Sequence, residues 1–321
     1  MGLRLTASPA ARERALFGVL CLVWGTTWMA LKIGAMAVPP GLFAGTRWTV
    51  AGLILLLWRR ARGQPVRPGM RLLRRLVLVA VLMISVNAVL NQYSLLFVGS
   101  GLAAVVNAAM TPLSLLGFSV ALGQERFSAR QAAAMVLGVC GILMLFGPGA
   151  LSGRMDAGTA LGAGGLVVGC LTYSAGSVLS RPLMRTLAPA QLAAMTNFFG
   201  GAILLAASLL FEPGARAALD GNWGLAAWGA WLFLLFPGSL GATIIYFVLV
   251  RSWGASRAGI YAFVSPVVAV LLGILVLGES LHATDAAGML LMLAAAGLIL
   301  RRPSAVPVVQ PQSCPGVVSS R

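Results

Sequence analysis

The 321-residue sequence predicts an all-α membrane protein with ten transmembrane helices in two inverted five-helix repeats. Three observations carry this reading. Apolar residues make up 59% of the chain against 9% charged, with a mean hydropathy of +0.93, whereas a soluble domain has about 25% charged residues. Most basic residues fall in every second connection between apolar runs, and a sequence pattern returns after about 150 residues.

A crossing needs about 20 apolar residues, because a helix rises about 1.5 Å per residue through a hydrocarbon layer about 30 Å thick. Ten such runs are read, in order, at 16–37, 42–58, 76–97, 102–122, 132–147, 160–179, 190–211, 224–249, 258–277 and 284–300. The first follows a short basic segment as a signal peptide would. Its apolar run is too long for one, and no small-residue cleavage site precedes the second run, so it reads as a retained anchor. The second run opens behind Pro39 and stops at Arg59 and Arg60; the third starts behind Arg74 and Arg75. The fourth carries Pro112 and stops before Glu125, and the fifth follows Arg126 and Arg130. The sixth is rich in small residues, with Gly158, Gly162, Gly165 and Gly169 at spacings that let another helix approach closely. It ends before Arg181 and Arg185, and the seventh follows Pro189. The eighth stops at Arg251, the ninth follows Arg257 and carries Pro266, and the tenth stops at Arg301 and Arg302. The chain therefore divides into an N-terminal segment (1–15), a first repeat (16–149), a second repeat (157–302) and a Pro- and Ser-rich tail (303–321) expected to be disordered.

The net charge of +16 does not point to nucleic acid. Of the 23 basic residues, 19 fall on one face of a ten-span topology, which by the positive-inside rule places both termini in the cytoplasm of a multi-pass cell-membrane protein. Arg154 and Arg216 lie on the other face, and Lys32, the only lysine, and Arg47 lie within apolar runs. The partners implied are the bilayer and a small-molecule substrate, with no nucleic acid; a homodimer stays open. Cys21, Cys140 and Cys170 fall in spans and Cys314 in the tail, so no metal site or disulfide framework is expected, and no cofactor.

The internal repeat aligns VVNAAMTP, ending at Pro112, with GIYAFVSP, ending at Pro266, a shift of 154 that also pairs Glu125 with Glu279 and Met135 with Met289. Nearer the start of each half a shift of 150 pairs Pro39 with Pro189 and Thr46 with Thr196. Five spans per repeat means that the second copy enters the membrane from the opposite side. Inverted repeats are typical of secondary transporters, whose site lies near the midplane between the halves. Pro112 and Pro266 each remove a backbone hydrogen bond, so equivalent kinks are expected, for packing or for gating.

Together these residues resemble the EamA-type drug/metabolite transporter family: WG at Trp24 in the first span, Pro39 followed eight residues later by Arg47, the AAxxxxxxxP pattern from Ala103 to Pro112, and LGQE at Leu122–Glu125 matched by LGES at Leu277–Ser280. The resemblance covers about residues 14–302. It implies ten helices in two inverted repeats around a central cavity, and movement of small metabolites such as amino acids. The second repeat departs from the first, with Tyr173 and Ser174 at the places of Trp24 and Gly25 and Asn197 at that of Arg47.

Lys32 and Arg47 should both sit roughly 8 to 9 Å below the outer surface. A cation there costs up to about 2.5 to 3.5 kcal/mol and needs a partner or a wet cavity. All seven acids lie in loops or at span ends, so the partner is either an anionic group on a substrate or, structurally, carbonyls, the interface, or Glu279. Trp24, Trp28 and Lys32 form a stripe with a four-residue period, and Thr27 lies beside it. Asn87 and Asn91 share a face of the third span with Gln92 beside them; Asn107, Tyr173, Asn197, Tyr246 and Tyr261 extend the candidate wall. Each of these is either a substrate contact or an interhelical packing residue. Glu125 and Glu279, at equivalent turns before the fifth and tenth helices, are read as caps or as gating groups. His282, the only histidine, is read as exposed near the outer surface.

A membrane-embedded enzyme would need a base, metal or nucleophile, yet the interiors of the spans lack His, Asp and Glu and neither HExxH nor GxSxG occurs. A channel would present rings of equivalent polar groups in an oligomer. The expectation is a secondary transporter of a small organic metabolite, an amino acid or a related compound, in the export direction by alternating access; the alternative is a carrier of anionic or phosphorylated metabolites. With no carboxylate or histidine in the interior of a span, coupling is either absent or uses Glu125 or Glu279 at the rims, and facilitated diffusion or exchange is expected.

Overall fold

The computed structural model describes residues 9–66, 69–151, 157–277 and 283–300, and these are helical with no strand. The long helices are α1 (Pro9–Ala37), α2 (Pro40–Ala61), α3 (70–97), α4 (Ser100–Ala121), α5 (Ala129–Leu151), α6 (Ala157–Leu183), α7 (Pro189–Phe211), α8 (Leu225–Trp253), α9 (Tyr261–Leu277) and α10 (Ala283–Leu300). Six of them, α1, α2, α3, α6, α7 and α8, are long and apolar enough to cross a membrane; parts of α4, α5 and α10 form shorter apolar helices. Several helices outrun the apolar stretches that announce them. α3 starts six residues early, at Met70, and carries Arg74 and Arg75 on its first turns, because a helix continues into the polar boundary where hydropathy no longer marks it. Glu279, His282 and the tail lie outside the described residues.

Prolines set two helix starts in matching ways. Pro40 and Pro189 occupy the first turns of α2 and α7, where the missing N–H has no intrahelical partner to lose. These two helices pack antiparallel and backbone to backbone. A Cβ on Gly52 would lie 2.2 Å from Phe198 N, one on Gly201 2.3 Å from Thr49 N, and one on Gly45 2.7 Å from Leu205 N. Antiparallel contact between helices at equivalent places in the repeat is the signature of inversion. The other contacts obey the same exchange of halves: α4 packs on α6 as α9 does on α1, α3 on α6 as α8 does on α1, and α5 on α10. The small residues of α6 do what their spacing suggests, with Gly162 seated on Phe97 and Val98, Gly165 on Ser94 and Gly169 on Asn91 of α3.

Two π-helical segments interrupt the α-helices, Val81–Val86 in α3 and Leu234–Ala242 in α8. A shift of 154 carries the first inside the second, so the wider turn is a property of the repeat. Such bulges concentrate at functional places.

The larger apolar core, including Phe17, Leu20, Leu115, Phe247, Val250 and Trp253, fills the half of the bundle where α1 starts and α8 ends. Trp253 Nε1 donates to Glu13 Oε2 at 2.6 Å there. This end carries Arg59, Arg181 and Arg251. At the opposite end Glu212, after α7, accepts from the N–H groups of Gly41 and Leu42 at 2.9 and 3.0 Å and from Tyr93 Oη at 2.6 Å, with Ser208 Oγ as a further donor. One carboxylate from the second half thereby caps α2 of the first.

The turn before α5 differs from expectation. Ser128 and Gln131 cap that helix reciprocally, Gln131 Oε1 accepting from Ser128 N at 3.0 Å and Ser128 Oγ from Gln131 N at 3.3 Å, a capping box. Glu125 turns away from the cap toward Gly254, with Gln131 Nε2 3.3 Å from its Oε2. Burial pushes its carboxyl above the usual range, opposed by Ser256, Arg181 and Gln131.

Candidate functional site: a cavity between the halves

A cavity of ≈ 790 Å³ opens among α1, α2, α3, α4, α6, α8 and α9. Its wall alternates aromatic, amide and small apolar groups. Both π-helical segments border it, through Met83 and Ile84 on one side and Leu234 and Gly238 on the other. Pro266 lines it directly, whereas Pro112 is buried within α4 and reaches the wall only through Ala108. Each proline leaves the carbonyl four residues earlier without its helical donor. Those residues, Ala108 and Ala262, both face the cavity.

Toward the arginine-bearing end, Trp24 is the centre of an aromatic cluster. Its ring lies 4.5 Å from Tyr261 at 71°, 5.3 Å from Tyr246 and 6.5 Å from Tyr173. Tyr246 is wholly buried, and its hydroxyl meets Ser177 Oγ at 2.6 Å. Three of these rings come from the second half and one from the first, so the cluster spans the junction. Gly25 makes the close approach of α1 to α9 possible, since a Cβ there would stand 2.7 Å from Ser265 O. Trp28 and Thr27 line the wall further along, with Thr27 Oγ1 spent on Trp24 O at 2.9 Å.

The amides divide into satisfied and unsatisfied groups. Asn87 Nδ2 donates to Gly169 O at 2.9 Å, and Asn107 Nδ2 reaches Cys170 Sγ at 3.5 Å. Asn91 Oδ1 and both amide atoms of Gln92 are buried without a partner. All four residues line the cavity.

The two cations within the apolar runs separate. Arg47 lines the cavity, 4% exposed, with its guanidinium 4.6 Å above the Trp48 ring and Nη1 donating to Ser239 Oγ at 2.8 Å. Lys32 does not line it. Its ammonium donates to Leu95 O and to Val98 O, the latter at 3.1 Å, and so closes the carbonyls left free at the C-terminus of α3. Lys32→Met is expected to lower stability by about 1 to 3 kcal/mol with substrate affinity unchanged. A raised KM at an unaltered melting temperature would place the ammonium against the solute instead.

Asn197, the counterpart of Arg47, also stands outside the wall and donates to Ser239 O at 2.8 Å. Arg47 and Asn197 thus converge on one serine of the π-helical segment in α8. Its counterpart Ser85, at a shift of 154, donates to Gly200 O of α7 at 2.7 Å. Ser239 escaped the sequence reading; Pro237 and Gly238 inside an otherwise apolar run are the signal that marks it. Trp48, Thr243 and Ser265 line the wall as well, and as single residues in apolar runs they carry no signal of their own. Among the described residues no group of three His, Cys, Asp or Glu side chains is placed to hold a metal ion.

Comparison with known proteins agrees with this architecture. A solved crystal structure superposes with a TM-score of 0.73 over 89% of this chain and 96% of its own length, at 20% identity, which establishes the fold. The "Uncharacterized inner membrane transporter YedA" of Escherichia coli (strain K12) is 32% identical over 270 residues, covering 83% of this chain and 84% of that protein. The "Uncharacterized transporter YoaV" of Bacillus subtilis (strain 168) is 26% identical over 84% of this chain and 90% of its own, and "Protein PecM" of Dickeya dadantii (strain 3937) 29% identical over 85% and 87%. The model of the EamA-like transporter family matches twice, over residues 15–147 and 160–301. With both halves matched, and with the cavity at their junction, the chain belongs to the EamA-like transporter family.

Proposed function

We propose that the chain is a ten-span secondary transporter of the inner membrane, with both termini cytoplasmic, that exports a small organic metabolite, an amino acid or a related compound, by alternating access. The observation that carries this reading is the cavity of ≈ 790 Å³ at the junction of the two halves, a size suited to a small organic solute. In this orientation the arginine-bearing end faces the cytoplasm. There the Trp24 cluster and the apolar core behind it shut the passage, and rocking of one half against the other would open it. No Asp, Glu or His lines the cavity among the described residues, which favours facilitated diffusion or exchange over proton coupling.

Counterflow in proteoliposomes tests this. Vesicles preloaded with amino acids, organic acids or phosphorylated metabolites should accumulate the matching labelled compound saturably, with no change of lumenal pH. Absence of counterflow for every compound would overturn the carrier reading, and acidification coupled to flux would overturn the mechanism. Net efflux from inside-loaded cells, compared with uptake, reads the direction.

A further inference from the structure

Resting on the carrier reading, we propose that Arg47 is the carboxylate subsite of the cavity and that the transported solute carries a single carboxylate, rather than a phosphate group or a lone positive charge. A guanidinium has five N–H donors and no acceptor. Among the described residues Arg47 has no carboxylate partner; it has one neutral acceptor, Ser239 Oγ, and its buried Nε has none. Its Trp48 contact satisfies the face of the guanidinium and leaves the donor edge unmatched. A desolvated cation in this state is destabilising until an anion meets it, and planar bidentate pairing suits a carboxylate.

Charge balance selects the class. Arg47 is the only charged side chain lining the cavity among the described residues. Lys32, the second cation available nearby, is consumed by the carbonyls of Leu95 and Val98. One carboxylate therefore pairs with the one guanidinium. A phosphate monoester brings about 1.5 to 2 negative charges, more than the single positive charge that lines the cavity among the described residues can match. An amine without a carboxylate meets only like charge. Gln92 belongs to the same site. It is 1% exposed, neither of its amide atoms has a partner, and it lies on α3, which packs on α2 through Ala88 and Ala44. Its unpartnered amide is a second polar group of the same wall, and a small turn of the side chain would give an ammonium or hydroxyl of the solute an acceptor there, so amino acids and hydroxy acids share Arg47 as the anchor.

The test uses the full chain in detergent and in proteoliposomes. The twenty amino acids and a set of short organic acids are each compared with the corresponding primary amide, and with phosphate monoesters of similar size, by thermal shift. The compounds that stabilise the wild type should all carry one carboxylate, and amidation should abolish the shift. Arg47→Met should weaken carboxylate binding roughly 10- to 100-fold, with Arg47→Lys recovering part of it. Because the carboxylate and amide comparison needs only the wild type, it stands even where a variant does not fold. Stabilisation by amides, amines or phosphate monoesters as strong as by carboxylates overturns the proposal, and so does a panel in which no carboxylate binds. Counterflow of amides or amines would leave the carrier reading intact and remove the subsite; carboxylate binding without any counterflow would do the reverse.

Discussion

Gly52→Leu is expected to leave little folded protein. The Cβ alone would stand 2.2 Å from Phe198 N and 2.4 Å from Phe198 Cα, and backbone cannot rotate aside as a side chain does. Overpacking in a core costs about 1 to 3 kcal/mol when side chains can yield; here α2 and α7 must separate along their length. They carry Arg47 and Asn197 toward the same Ser239, so separation also dismantles the polar side of the cavity. A loss above about 3 kcal/mol is expected, seen as aggregation or a collapse of the monodisperse peak on size exclusion. Gly201→Leu should match it, because its Cβ would meet Thr49 N at 2.3 Å. Gly164→Leu is the control, with nothing within 4 Å of its Cβ. A Gly52→Leu protein with the melting temperature of the wild type would remove the backbone-to-backbone crossing of the two halves from this account.

Trp24→Ala should cut flux at least tenfold while leaving the bundle folded. Trp24 is the one ring of the aromatic cluster contributed by the first half, and it touches Tyr261, Tyr246 and Tyr173 of the second. An aromatic pair is worth about 0.5 to 1.5 kcal/mol beyond its buried area. Three pairs lost together move a shut-to-open equilibrium by about one to three powers of ten. The same loss strips an apolar wall from the solute. Trp24→Phe keeps ring contacts and should retain most of the flux. Cys21, one turn before Trp24, gives an independent readout because it is 1% exposed. Maleimide modification of Cys21, mapped by mass spectrometry, should accelerate in Trp24→Ala if the cluster seals that end. Unchanged flux together with unchanged labelling would show that the cluster is ordinary packing.

The helices were legible because a bilayer demands long apolar runs, and the runs are bounded by arginines at one end of the bundle. The candidate wall was partly legible for the same reason: Asn87, Asn91 and Asn107 stand out in an apolar background. What periodicity misses is where the hydrogen bonds go. Lys32 and Arg47 looked alike as buried cations at one depth. One found the open carbonyls at the end of α3, and the other found only a serine, because α3 stops beside Lys32 while α8 widens into π-helical turns beside Arg47. Glu125 looked like a helix cap, but Ser128 stands nearer the first turn of α5 and takes that place.

The linear chain thus carries its membrane habit, its helix order and its internal duplication, since each follows from local hydrophobicity, charge or repetition. Which buried polar groups are satisfied within the bundle and which face the cavity depends on helices distant in sequence meeting at particular heights. That was settled only by close packing of α2 on α7 and of α1 on α9, where glycines let backbones touch and bring groups nearly 200 residues apart within a hydrogen bond of each other.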